Sequence, residues 1–102
     1  MDKDIKPLFT LSVTAEIIGV HPRTLMIYEN ESLVIPARTK TNRRRYSQKD
    51  VRKLQFVRYL TTKRGVNLAG VKCVLELLDK LDKGGGNSHK TNFPDFLETA
   101  IF

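Results

Sequence analysis

Twelve of the chain's 18 Lys and Arg residues fall between His21 and Arg64, opposed there only by Glu29, Glu31 and Asp50. That window carries a formal +9, while the stretches on either side each sum to −1. A cationic block this local is an electrostatic footprint, and a polyanion is its natural counterpart. The plain alternative is a basic surface that serves only solubility. Other chemistry has little to work with. His21 and His89 are far apart, and Cys73 is the sole cysteine, so no intrachain disulfide can form. One thiol cannot build a thiolate metal site. There are no paired carboxylates, no P-loop and no GxSxG motif. No enzyme, cofactor or metal is therefore expected. Cys73, set in an apolar helical pattern, reads as a buried structural thiol.

A chain of 102 residues, 40% hydrophobic, has room for one small domain and a tail. No apolar run approaches the ~20 residues needed to span a membrane. The opening MDKDIKPLF lacks the apolar region of a signal peptide. A cytoplasmic protein acting at the nucleoid, with no membrane partner, is the expectation.

The cationic residues need elements to hold them. Ser12 reads as the N-cap of a short helix from about Val13 to Ile18, with Val13, Ile17 and Ile18 on its apolar side. Gly19 supplies the turn, with Val20 plugging the gap between helices. Pro22 suits the first position of a second helix, in which Leu25 and Tyr28 share a face. Two short helices about a glycine turn make a helix-turn-helix, a pattern shared by many helical hairpins. Leu33-Val34-Ile35 is β-prone, ended by Pro36. Thr39 to Asn42 reads as a turn, and Arg43 to Tyr46 as a returning strand, giving a hairpin wing with a basic tip. Three adjacent arginines either meet an anion or stay solvated.

Ser47 and Asp50 form a capping box for a third helix, about Gln48 to Lys63, with Val51, Leu54, Val57 and Leu60 as core. Gly65 ends it, and Asn67 caps a fourth helix striped by Leu68, Val71, Val74, Leu75, Leu78 and Leu81. That stripe exceeds what a three-helix domain covers, leaving a flank to share. The expected division is a DNA-binding domain over 1–81, a glycine-rich linker over 82–92 and an amphipathic tail over 93–102. Phe93, Phe96, Leu97, Ala100 and Ile101 recur at helical spacing. So short a segment either docks on a groove or stays disordered.

In order, the stretches VTAEIIGVHPRTLMIYE, LVIPAR, NRRRYSQKDVRKL and RGVNLAGVK resemble the winged helix-turn-helix domain of the MerR transcriptional regulators. The resemblance covers Phe9 to about Asp79, and the last stretch is most like the heat-shock repressor group HspR. It implies a mainly α fold of four helices plus a two-stranded wing. Met26 stands where many relatives carry Arg, and Ser32 where they usually carry Gly. A left-handed cap at Ser32 would be costly. Nothing after Leu81 carries heptads, so the family's long dimerising coiled coil is not expected in this sequence.

The expected activity is sequence-specific DNA binding by a regulator, a repressor of heat-shock and chaperone genes that binds a palindrome as a homodimer. Double-stranded DNA is the expected partner. The HspR resemblance implies the chaperone DnaK as co-repressor, and no small-molecule effector is evident. The alternative is a DNA-architectural or excisionase-like recombination factor using the same winged helix.

Recognition helices enter the major groove by their N-terminal part. Arg23 is the candidate for guanine, with Thr24 and Ile27 touching thymine methyls. Thr14, His21 and Tyr28 complete the helix-turn-helix contacts, with the Tyr28 ring turned inward and its hydroxyl offered to phosphate. Arg38, Lys40, Arg43, Arg44, Arg45 and Tyr46 form the wing's contribution, although Arg44 or Arg45 is expected to pair internally with an acid. Lys63 and Arg64 precede helix four as a second phosphate grip. Phe93, Phe96, Leu97 and Ile101 are the expected partner-binding residues, docking on helix four of a second protomer or held by a chaperone.

Overall fold

The computed structural model describes residues 6–82, so the linker expected over 82–92, apart from Asp82 at the end of the last helix, and the tail expected over 93–102 lie outside the described residues. Four helices and one hairpin follow in order: α1 (Leu11–Ile18), α2 (Pro22–Asn30), β1 (Ala37–Arg38), β2 (Arg44–Arg45), α3 (Gln48–Thr62) and α4 (Leu68–Asp82). They group into two compact units, residues 1–55 and 56–102, divided within α3.

In the first unit, α1 starts two residues earlier than its sequence suggests. Thr10, not Ser12, is the N-cap, and its Oγ1 accepts from the Val13 N–H at 3.2 Å. Both hydroxyls suit a cap, but only Thr10 leaves Leu11 inside the helix. This rotates the buried face to Thr14, Ala15 and Ile18 and leaves Val13 exposed, not in the core. Gly19 closes α1 at φ 84°, with its N–H and that of Val20 both reaching the Ala15 carbonyl. Pro22 opens α2, and Leu25 and Tyr28 are buried as their spacing predicts.

Helix α2 ends in a Schellman motif. The Ser32 N–H donates to Glu29 O and the Leu33 N–H to Tyr28 O, with Ser32 at φ 59°. A residue with a Cβ in this left-handed conformation costs about 1–2 kcal/mol relative to its preferred region.

The first strand is displaced from its expected place. Leu33 and Val34 are buried but carry no strand, and β1 lies beyond Pro36. Their apolar character reflects burial rather than a ladder. Strands β1 and β2 pair antiparallel, with Ala37 opposite Arg45 and Arg38 opposite Arg44. Asn42, at φ 63°, turns the tip and donates to Thr39 O. Tyr46 continues past β2 and bridges Phe9. The Leu8 and Phe9 N–H groups donate to Tyr46 O, and the Tyr46 N–H to Phe9 O at 2.7 Å.

The Tyr46 ring is buried, and its hydroxyl is buried with no hydrogen-bond partner among the described residues. Burial pushes this phenol up to about 12. Its contribution to stability is complete below the ordinary value of 10.0 and is lost as pH rises towards 12. We expect Tyr46→Phe to leave unfolding free energy unchanged or to raise it by about 1 kcal/mol, because it removes an unsatisfied polar atom. A loss of 2 kcal/mol or more in denaturant unfolding would mean that the hydroxyl has a partner.

The capping box forms as expected. The Ser47 N–H donates to Asp50 Oδ2 and the Asp50 N–H to Ser47 Oγ, both at 3.0 Å. Val51 and Leu54 are buried in this unit.

In the second unit α3 buries Phe56, Val57, Tyr59 and Leu60, with the Phe56 and Tyr59 rings stacked. Gly65 turns the chain at φ 63°, and the Val66 N–H reaches Leu60 O. Asn67 Oδ1 accepts from the Gly70 N–H at 2.8 Å and caps α4. Val71 and Leu78 are buried. Cys73 is exposed, contrary to expectation. Residue 73 lies some 160° round the helix from Val71, so an apolar neighbourhood in sequence does not make it inward-facing.

Candidate nucleic-acid interface

The inward turn of Leu25 and Tyr28 forces the intervening residues of α2 outward. His21 is the N-cap: its Nδ1 accepts from the Arg23 N–H at 3.0 Å. With Nδ1 accepting that bond, Nε2 is left to donate. His21, Arg23, Thr24 and Ile27 line one open concavity of about 350 Å³. Arg23 and Ile27 are exposed and Thr24 half-buried. A guanidinium, an imidazole donor and apolar methyl groups thus meet at the N-terminal half of one helix.

Two expected contact residues of this unit are not available. Thr14 is fully buried, and its hydroxyl donates to Thr10 O at 2.7 Å, serving α1 itself. Tyr46 is buried at the base of the hairpin. Both carry polar atoms, and the sequence does not show which way their element is turned. Tyr28 is buried too, its ring turned inward.

The hairpin divides its cations. Glu29, on the last turn of α2, holds two of them: Arg44 Nε at 2.6 Å and Arg38 at 2.8 Å. Arg44 is thus the internally paired arginine, and Arg38 shares its acid. Arg45 donates to Arg44 O at 2.8 Å and is half-buried. Lys40 and Arg43 are exposed and have no ion-pair partner among the described residues. In the second unit Lys63 and Arg64 are exposed in the turn before α4.

Sequence reasoning counted Glu29 only as an opposing charge and missed its role. The available signal was its position: an acid at the penultimate residue of α2, with arginines at 38 and 44 in cross-strand register. Burial works against a charged Glu29, but the hydrogen bonds and charges of Arg44 and Arg38 outweigh it and lower its pKa. The linked stability is therefore full above the ordinary value of 4.5 and is lost as pH falls through the lowered native value. Glu29→Gln should cost about 1 kcal/mol or less at pH 7, since Arg38 is partly exposed. In denaturant unfolding the gap between wild type and variant should shrink below pH 4.5. A gap that widens in acid would contradict the sign.

Residues 9–78 match the family described as MerR HTH family regulatory protein. The chain belongs to this family. Among curated MerR-type relatives, "Putative heat shock protein HspR" of Streptomyces coelicolor is 44% identical over 71 residues, covering 70% of this chain and 47% of that protein. "HTH-type transcriptional regulator GlnR" of Bacillus anthracis is 39% identical over 74 residues, covering 72% of this chain and 57% of that protein. The chain thus spans about half the length of the curated relatives it matches. A solved structure of HiNmlR, a MerR family regulator lacking the sensor domain and bound to promoter DNA, superposes with a TM-score of 0.62 at 30% identity. It covers 68% of this chain and 52% of HiNmlR. The four helices and antiparallel hairpin are those of the MerR winged helix-turn-helix. A regulatory family also agrees with the expectation that the chain is not an enzyme. No helix among the described residues is long and apolar enough to cross a membrane.

Proposed function

We propose that this chain is a sequence-specific DNA-binding transcriptional regulator, a repressor that binds a palindrome as a dimer and controls chaperone genes. The observation that carries the reading is the N-terminal half of α2, where Arg23, His21 and Ile27 share one open concavity while Leu25 and Tyr28 anchor the helix from behind. Such a helix offers base-reading groups to a major groove. Lys40 and Arg43 on the wing take phosphates and set the register without reading sequence. In the second unit Lys63 and Arg64 take phosphate, beside the start of α4.

The similarity to HspR supports chaperone genes as targets, and the resemblance to that group extends to DnaK as co-repressor. The likeness to HiNmlR, solved bound to promoter DNA, supports promoter DNA as the ligand. A cytoplasmic, nucleoid-bound protein follows from this reading.

The test is selection of bound sites from random duplexes. A regulator of this kind enriches two inverted half-sites at a fixed spacing, about one helical turn or a multiple apart. Enrichment of bent or flexible sequences without inverted half-sites would favour the architectural alternative. Failure to enrich any sequence at low salt would remove the proposal.

A further inference from the structure

The cationic window keeps an acid in its midst. Glu29 is the penultimate residue of α2, and only 16% of its side chain is exposed. Each of its oxygens takes a different strand of the hairpin. Oε2 accepts from Arg38 Nη2 on β1 at 2.8 Å, and Oε1 from Arg44 Nε on β2 at 2.6 Å. The two arginines are cross-strand partners, so one carboxylate closes over the width of the ladder. Arg38 reaches further, its Nη1 donating to Asn42 O in the turn at 3.4 Å. A path of hydrogen bonds thus runs from α2 to the hairpin tip.

Attraction for a polyanion does not account for this acid. A carboxylate in a cationic surface weakens the pull on phosphate and occupies two guanidinium groups that would otherwise grip it. Stability accounts for little, since part-exposed ion pairs contribute weakly. Geometry accounts for more. Each strand has two residues, and so short a two-stranded hairpin is marginal alone. Its exposed cations flank the clamp: Lys40 lies two residues from Arg38, and Arg43 is next to Arg44. Arg23 stands on the same helix as Glu29, about 9 Å back along its axis. Tying the ladder to α2 therefore sets the distance between the group that reads a base and the groups that hold phosphate.

We propose that Glu29 is a positioning residue for sequence discrimination: its hold on Arg38 and Arg44 fixes the wing against α2, keeping affinity for the right site while holding down affinity for other sequences. Withholding two cations from phosphate weakens binding to every duplex, and the fixed wing restores it only where base contacts and phosphate contacts fall in register. The inference rests on the regulator reading and deepens it, adding a source of selectivity that touches no base.

The test compares Glu29→Gln with Glu31→Gln. Both remove one negative charge from the same stretch, but Glu31 is exposed and has no ion-pair partner among the described residues. Affinities for the selected site and for a random duplex are measured by anisotropy at several salt concentrations. Glu31→Gln should tighten both duplexes alike. Glu29→Gln should tighten the random duplex, with a slope of log K against log salt steeper by about one to two per copy as the two arginines turn to phosphate. Its ratio of selected to random affinity should fall about tenfold, within the range of one misread base pair. Retained binding to the random duplex also shows that the variant is folded. A ratio that stays the same or rises makes Glu29 a plain opposing charge and overturns the proposal. A ratio that falls with no steeper slope on random duplex makes the cluster a structural prop and overturns it too. A wild type that binds no duplex removes the regulator reading as well, whereas one that selects a site while Glu29→Gln keeps its ratio removes the clamp alone.

Discussion

Raising monovalent salt from 50 to 200 mM should weaken binding of this protein to its operator by about 10³-fold. The magnitude follows from counterion release, in which each neutralised phosphate adds about −0.9 to the slope of log K against log salt. On charge alone the basic window would promise a fall of up to ~10⁵, the loss expected for ten phosphate contacts. The structure reduces the count. Glu29 holds Arg38 and Arg44, and Arg45 is turned to a backbone carbonyl. Arg23 reads a base, so the phosphate contacts of each copy are Lys40 and Arg43 in the first unit, which have no ion-pair partner among the described residues, and the exposed Lys63 in the second. Two copies then supply about six phosphate contacts, the low end of the range. Titrations by anisotropy at four salt concentrations measure this directly. A slope near zero would mean that the cationic window is not the binding surface.

Arg23→Ala should lower affinity for the selected site by about 5–150-fold, corresponding to the ~1–3 kcal/mol carried by one bidentate arginine–guanine pair. Affinity for random duplex should change far less. Arg43→Ala should do the opposite in kind: a similar modest loss on every sequence and a salt slope shallower by about one. The contrast rests on position. Arg23 stands at the start of a helix whose other face is buried, in a concavity with His21 and Ile27. Arg43 is exposed at the hairpin tip, where its backbone N–H donates to Thr39 Oγ1 and its side chain is free to follow phosphates. Equal losses on selected and random DNA for both variants would undo the division between reading and gripping. Either measurement is unaffected by the stability of the hairpin, since neither residue belongs to the Glu29 cluster.

The elements announced by local chemistry were legible in the sequence. Gly19, Pro22, the Ser47–Asp50 box and Asn67 each act on backbone groups within a few residues of themselves, so their types and spacing suffice. The buried Val51, Leu54, Val57 and Leu60 follow from one helical period. What misled was orientation and distance. Thr10 and Ser12 both suit a cap, and choosing the later one put Val13 in the core and left Thr14 as a candidate contact. Cys73 shares a helix with buried residues but not their side. Leu33 and Val34 are buried without a sheet, so strand propensity there reported burial alone. Glu29 meets Arg38 and Arg44 across 9 and 15 residues, through a fold that no local signal describes.

The short bridge between Phe9 and Tyr46 has a practical consequence. Three backbone hydrogen bonds fasten the segment ahead of α1 to the foot of the hairpin. A fluorophore or spin label carried just before Leu8 would therefore sit beside the wing's base and sense its displacement when duplex arrives. An affinity handle placed there would crowd the same spot.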